Sequence, residues 1–274
     1  MTMNTILQDS SPARVAQALD ANMIAFGIFL STLPHATLHD EPGLLWFETG
    51  VNGSPFNGVL QTRLAPEALP DTIERVRRHF QQRHLPFHWR FGPDVQPVDL
   101  GNLLVAHGIG HDEDEPGMAA ELLSRNFDLP TASNLSIYPV TTADQVRQWS
   151  RTTYCGAPEE AIQGMFTAYS GLPLDPQSPL RLYLGTLDGK PVATSALFFA
   201  AGVAYIGRIV TVHAFRQRGI GTAITLHTML EARRAGYHIA VLNASSMGIN
   251  IYRRLGFKKC CLISTYEWYP IDSQ

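Results

Sequence analysis

The residues best placed to do chemistry lie in one run, Ile209-Val210-Thr211-Val212-His213-Ala214-Phe215-Arg216-Gln217-Arg218-Gly219-Ile220-Gly221-Thr222. Its β-branched start predicts a strand over Val203 to Val212, and the periodicity after it predicts a helix over Gly219 to Ala235, ended by Gly236. The first N–H groups of a helix have no intrahelical acceptor and sit at the positive end of its dipole. Gly219 and Gly221 let a ligand come close to the main chain there. Strand, basic loop and glycine-bearing helix start together make an anion cradle, most naturally for a pyrophosphate. A Walker loop is excluded because its Lys-Ser/Thr ending is absent. A dinucleotide fingerprint fails as well, since it needs a small residue where Ile224 stands and an acid where the next strand ends in Asn243.

The elements that must position this run follow from periodicity and turn residues. Downstream of it, His238 to Leu242 reads as a buried strand and Met247 to Leu255 as a helix stopped by Gly256. Upstream, Arg181 to Thr186 and Pro191 to Ala200 flank an Asp188-Gly189 hairpin turn. Before these come a strand at Ile137 to Val140, a helix opened by Thr141 or Thr142, and a helix around Pro158 to Ala168. In the first half, helices are expected at Pro12 to Leu30, Leu69 to Arg83 and Val98 to His107, and strands at Leu44 to Glu48, Gly58 to Thr62 and Pro86 to Phe91. Both halves thus run strand, helix, strand, helix and glycine, and Leu104-Val105-Ala106-His107-Gly108-Ile109 matches Tyr252-Arg253-Arg254-Leu255-Gly256-Phe257 in spacing. The order implies an α/β (α+β) architecture with mixed sheets.

At 274 residues the chain holds one large domain or, more comfortably, two medium ones. The polar, aperiodic segment Ser124 to Ser136 is the candidate linker, giving domains 1–130 and 131–274. A 45% hydrophobic and 16% charged composition supplies a sizeable core. A net charge of −3 gives no footprint for a nucleic-acid binder. Cys155, Cys260 and Cys261 cannot form a disulfide framework, which suits a cytoplasmic location. The apolar run Met23 to Leu33 is too short to span a bilayer and follows Asp20 rather than a basic segment, so neither membrane nor export is expected.

Arg216-x-x-Gly219-x-Gly221 resembles the acyl-CoA signature of the GNAT (GCN5-related N-acetyltransferase) superfamily, and Tyr252-x-x-x-Gly256-Phe257 resembles that family's later Tyr-x-x-x-Gly-Phe element. The resemblance covers Ser136 to Trp268. It implies two GNAT-like halves, each a mixed, mostly antiparallel sheet flanked by helices, with only the second keeping the cofactor loop. It further implies an N-acetyltransferase moving an acetyl group from acetyl-CoA to a small-molecule or peptide amine. The pantetheine arm would run along Val210, Thr211 and Val212, and the pyrophosphate would sit on Arg216, Gln217, Arg218, Gly219, Ile220, Gly221 and Thr222. Asn243 and Asn250 would reach the pantetheine or acetyl group, and Tyr252 would protonate the leaving thiolate. Two positions depart from the pattern. Ser245 stands where many relatives carry Asn, and Val203 to Val212 contains no Glu or Asp to serve as base. That gap leaves a non-catalytic acyl-CoA-binding regulatory or scaffold module as the alternative, and an acyl donor longer than acetyl also stays open.

Other polar residues read more plainly. His227 falls on the apolar stripe of its helix, and Cys155, Cys260 and Cys261 read as buried thiols. No metal site is expected: His107 and His111 are separated by helix-breaking glycines, so His111 to Glu115 reads as a solvated acidic loop. Trp46, Glu48, Asn57, His88 and Trp89 sit on strands, with core packing as the default reading and a part in the acceptor pocket as the other.

Overall fold

The computed structural model describes residues 5–92, 95, 97–123 and 134–270. In chain order the regular elements begin with α1 (Pro12–Leu30), β1 (Thr37–Glu41), β2 (Leu44–Glu48), β3 (Asn57–Thr62), α2 (Leu69–Gln82), β4 (Phe87–Phe91), α3 (Leu100–Ala106) and β5 (Gly110–Glu121). They continue with β6 (Leu135–Pro139), α4 (Ala143–Thr153), α5 (Glu159–Ser170), β7 (Leu180–Leu187), β8 (Lys190–Ala200), β9 (Val203–Thr211), α6 (Ile220–Arg234), β10 (Ile239–Asn243), α7 (Ile249–Arg254) and β11 (Lys258–Trp268).

Contacts divide the chain into a large unit, 1–22 with 116–260, and a small unit, 23–115 with 261–274. Each unit therefore takes in a segment from the far side of a cut at 130/131. Most of the linker anticipated at Ser124 to Ser136 lies outside the described residues. Asn22 shows why the first residues join the large unit. It is wholly buried, and its Nδ2 donates to Ala200 O at 2.9 Å and Val203 O at 3.3 Å. By length and composition α1 is apolar enough to cross a membrane, yet Val15 and Leu19 are core residues of the fold.

In the large unit the strand order is β5-β10-β9-β8-β7-β6. Only β10 and β9 are parallel; the other neighbours are antiparallel. The hairpin predicted at Asp188-Gly189 is present, with φ of 49° and 78° at its two corner residues. One core cluster fills the space between α6, α7 and the sheet, including Leu197, Ile206, Leu226, Met229, Leu242 and Phe257. In the small unit the order is β1-β2-β3-β4-β11, with β3 and β4 parallel. Its core gathers Val59, Leu69, Ile73, Phe80, Phe87, Trp89 and Leu104.

Most expected elements appear within a residue or two of their predicted ends, and three strands were not anticipated: β1, β5 and β11. The expected acidic loop at His111 to Glu115 is part of β5. Acidic residues are poor strand formers, so composition points to a loop. Tertiary hydrogen bonds hold it extended instead: Asp114 Oδ1 accepts from Ser264 Oγ at 2.6 Å and meets His111 Nε2 at 3.1 Å.

Candidate active site

The geometry starts with two parallel strands that part. β9 and β10 pair at Ala204↔Ala240 and Tyr205↔Val241 and no further, although β9 continues to Thr211. Past Tyr205 the main chain of β9 lacks a strand neighbour on that side, and Ile209, Val210, Thr211 and Val212 are half-buried rather than enclosed. A run of unpaired backbone amides and carbonyls is what an extended, amide-bearing ligand arm needs for strand-like pairing.

The wedge ends at the loop. One helical turn, His213–Phe215, is followed by Arg216, whose Nε donates to Thr211 O at 3.2 Å and ties the loop to the strand end. Arg218 lies over the Phe215 ring at 5.4 Å. Gln217 and Gly219 both adopt left-handed φ, 63° and 75°, which turns the chain sharply into α6. Gly219 is the N-cap of α6 and provides no side-chain hydrogen bond. The first turn of α6 thus has no side-chain cap, as in α2, α5 and α7, whereas α4 closes its own N-terminus with a Thr142–Gln145 capping box. Arg216 to Gly219 are exposed, Ile220 anchors the helix in the core at 1% exposure, and Gly221 and Thr222 are half-buried.

A side-chain carbon at Gly221 would sit 3.4 Å from Thr211 Oγ1 and 3.5 Å from Ile251 Cδ1, so α7 closes against the same corner. Tyr252, the next residue of α7, is 7% exposed and meets Phe257 edge-on at 5.9 Å. Gly248 backs its ring: a carbon there would fall 2.6 Å from Tyr252 Cε2 and 3.0 Å from Oη. The cradle and the tyrosine are thus built by one unit. Asn243 ends β10, paired to Gly117. Asn250 is exposed on α7, and Ser245 Oγ accepts from the Gly248 N–H at 3.3 Å, helping to start that helix.

The same strand carries a residue that sequence reasoning passed over. Arg208 interrupts an apolar stretch, and a lone cation among Ile206, Gly207, Ile209 and Val210 is a signal the sequence does contain. Its Nε donates to Tyr169 Oη of α5 at 3.3 Å.

The remaining candidates sit elsewhere. His227 is half-buried against Tyr183 at 5.1 Å, and burial holds its pKa below the ordinary value. In the small unit, Asn57 donates to Val51 O at 2.9 Å and Pro86 O at 3.0 Å and accepts from the Thr49 N–H at 2.9 Å, all internal contacts. Trp89 Nε1 donates to Thr62 Oγ1 at 3.0 Å, Trp46 Nε1 to Glu41 Oε1 at 2.9 Å, and His88 Nδ1 meets Ser54 O at 2.8 Å. Among the described residues one group has metal-compatible spacing: His39, Glu48 and His79, with ligand atoms within 4.8 Å of one another. Arg83 Nε and His79 Nε2 each lie 2.9 Å from Glu48 Oε2, so this carboxylate is already neutralised by a cation. Of the cysteines, Cys261 is buried, Cys260 half-buried and Cys155 exposed, which corrects the reading of Cys155 as a core thiol.

The corner thus combines a splayed strand pair, a glycine-capped helix start and a tyrosine-bearing helix beside it. The family model for the acetyltransferase (GNAT) domain matches residues 179–259. The fold as a whole resembles a GCN5-related N-acetyltransferase from Kribbella flavida, at a TM-score of 0.69 and 21% identity over 90% of this chain and 95% of that one. It also resembles a tandem GNAT protein from the clavulanic acid biosynthesis pathway, at a TM-score of 0.60 and 14% identity over 97% and 96% of the two chains. A GCN5-related N-acetyltransferase from Sphaerobacter thermophilus aligns at 0.57 and 16% identity, over 97% of each chain. No curated protein matches the chain. The fold is thus that of tandem GNAT proteins and supports acyl transfer.

Proposed function

We propose that the large unit binds acetyl-CoA and transfers its acetyl group to an amine, and that the small unit, within the division into a first GNAT-like half without a cofactor site and a second with one, is the related half that does not. The observation that carries this reading is the uncapped N-terminus of α6 at the end of the β9–β10 splay. A pyrophosphate there would accept from the open amides of Gly219 to Thr222, with Arg216, Gln217 and Arg218 around it. The freed edge of β9 at Val210 to Val212 would hold the amide-bearing arm, with Asn243, Ser245 and Asn250 on the opposite bank. No metal enters this reading, and the mild negative charge of the chain is no obstacle, because the cradle is local.

Acetyl-CoA supplies an acyl group activated as a thioester. The acceptor amine attacks as the free base: its nitrogen bonds to the acyl carbon, the carbon–sulfur bond breaks, and the electron pair leaves on sulfur. Tyr252 Oη gives that sulfur its proton and is reprotonated from solvent, which also takes the proton released by the amine. Since β9 carries no carboxylate, water is the natural proton acceptor on the amine side. The same absence favours the second reading, an acyl-CoA-binding module without turnover. A three-cysteine chain with unpaired thiols fits work in the cytoplasm.

Calorimetric titration with acetyl-CoA, followed by a thiol assay of CoA release across an amine panel, tests both. One acetyl-CoA bound per chain with amine-dependent release is expected. Binding without release above hydrolysis leaves the binding module, and no binding overturns both readings.

A further inference from the structure

Arg208 sits where β9 breaks its register with β8. Thr194 pairs with Val210 and Ala196 with Gly207, so Ser195 faces two residues, Arg208 and Ile209. The bulge puts Arg208 at a left-handed φ of 51°. For a residue with a side chain this conformation is strained, and glycine would avoid the strain. The geometry is locked from outside: Thr194 Oγ1 donates to Arg208 O at 2.9 Å, and Thr153 Oγ1 of α4 donates to Thr194 Oγ1 at 3.2 Å. A strained, braced backbone has been kept at a position occupied by a cation.

The groups around its guanidinium carry no formal charge. Nε donates to Tyr169 Oη at 3.3 Å, and among the described residues no carboxylate forms an ion pair with it. Burial works against its charge, yet an arginine stays protonated even so, and the hydrogen bond to Tyr169 Oη supports the charged form. Tyr169 is itself fixed, 1% exposed and packed on Trp149 at 4.8 Å. A half-buried cation that keeps its charge without an anionic partner is built to receive one.

Its place along the strand says which anion. Reading β9 backward from the anion cradle, the ligand arm would pass Val212 and Val210, and the bulge at Arg208 comes next along the strand. That is past the thioester end of the arm, where the acceptor must stand. We propose that Arg208 makes the acceptor site select amines that carry a carboxylate close to the amine, that is, amino-acid-like acceptors. The planar fork of arginine matches a carboxylate in two-point contact, and the same cation repels polyamines and other acceptors with no compensating anion. This inference rests on the transferase reading and names its substrate class.

The test compares amino acids with their decarboxylated counterparts, phenylalanine with phenethylamine and leucine with isopentylamine, in the CoA-release assay. The wild-type protein is expected to favour the carboxylate-bearing member. In Arg208→Gln the acid-to-amine ratio of kcat/KM should fall about 10- to 100-fold, the loss of one charge-assisted contact, and Arg208→Lys should recover part of it. An unchanged calorimetric Kd for acetyl-CoA shows that the variants are folded. A wild-type ratio near unity, or equal ratios in wild type and Arg208→Gln, overturns the proposal. If no acceptor releases CoA, the transferase reading has failed and titration with N-acetylphenylalanine decides. Binding that Arg208→Gln weakens sustains the carboxylate site, and binding absent or indifferent to the variant removes it.

Discussion

In the small unit, β3 leads through Pro66–Ala68 into α2, and β4 returns parallel to β3 at Gly58↔His88 and Val59↔Trp89. In the large unit, β9 leads through His213–Phe215 into α6, and β10 returns parallel to β9. Each corner is followed by a short helix, α3 and α7, and the residue at the tyrosine's place is Leu104, wholly buried. The connections differ in what they offer a ligand. The small unit's loop has no glycine, a proline near the first turn of α2 and acids at Glu67 and Asp71. Proline removes a donor, and the acids already complement the helix dipole. Both first strands of these corners bulge: the β2–β3 register slips between Leu45 and Trp46, leaving Leu60 over, and Leu60 lies against Gly27 of α1. Where one unit carries a half-buried leucine at the bulge, the other holds the half-buried Arg208. The same corner starts its helix with proline and acids in one unit and with glycines in the other.

The two corners differ most at Gly219. Its φ of 75° is tolerated by glycine, and no atom lies within 4 Å of where a side chain would start, so the position is limited by backbone and charge rather than space. Gly219→Asp adds the left-handed penalty and the acid that the small unit's loop already carries. The expected outcome is an acetyl-CoA Kd raised about 100-fold or more by calorimetry. Glu67→Gln in the small unit should leave both affinity and the one-per-chain stoichiometry unaltered. An unchanged Kd in Gly219→Asp would remove the cradle from the site.

The corners differ next at Tyr252 and Leu104. Tyr252→Phe keeps the ring and removes the proton, so kcat should fall about 100-fold with little change in acetyl-CoA affinity. Gly248→Ala keeps the proton and displaces the ring, because its methyl would meet Cε2 at 2.6 Å. A smaller loss of kcat, about tenfold, is expected from a misplaced acid. Equal kcat in Tyr252→Phe and wild type would make the tyrosine a packing residue, as Leu104 is.

How much of this could be read in the sequence depends on whether the determinant is local. The Asp188-Gly189 turn, the Thr142 cap and the glycine at 219 act within a few residues, and all three are where pattern reading puts them. The acids of β5 read as a loop because their partners stand far along the chain, Ser264 for Asp114 at a separation of 150 residues. Residues 1–22 read as part of the first half for the same reason, since the partners of Asn22 begin at Phe198. Arg208 stood in plain view, yet only the bulge and Tyr169 show that its charge is held at the splay rather than in solvent.

A modest effect is expected from one half-buried histidine in each unit. His227 is held below its ordinary pKa by burial, with Glu231 opposing and Arg234 adding; His39 is lowered by burial and then by His79, against Glu48 and Glu41. In the unfolded chain both titrate near 6.5. As pH falls through that value, the unfolded state binds protons that the folded state still refuses, so stability is lost between the unfolded pKa and the lower folded one. Thermal midpoints should therefore be higher at pH 8 than at pH 5.5, and His227→Gln and His39→Gln should each shrink that difference. The two sites lie in different units and share no partner in these contacts, so their effects should add. A pH difference that neither variant changes would mean that other groups set the acid limb. Strong non-additivity in the double variant would show that the two units titrate as one.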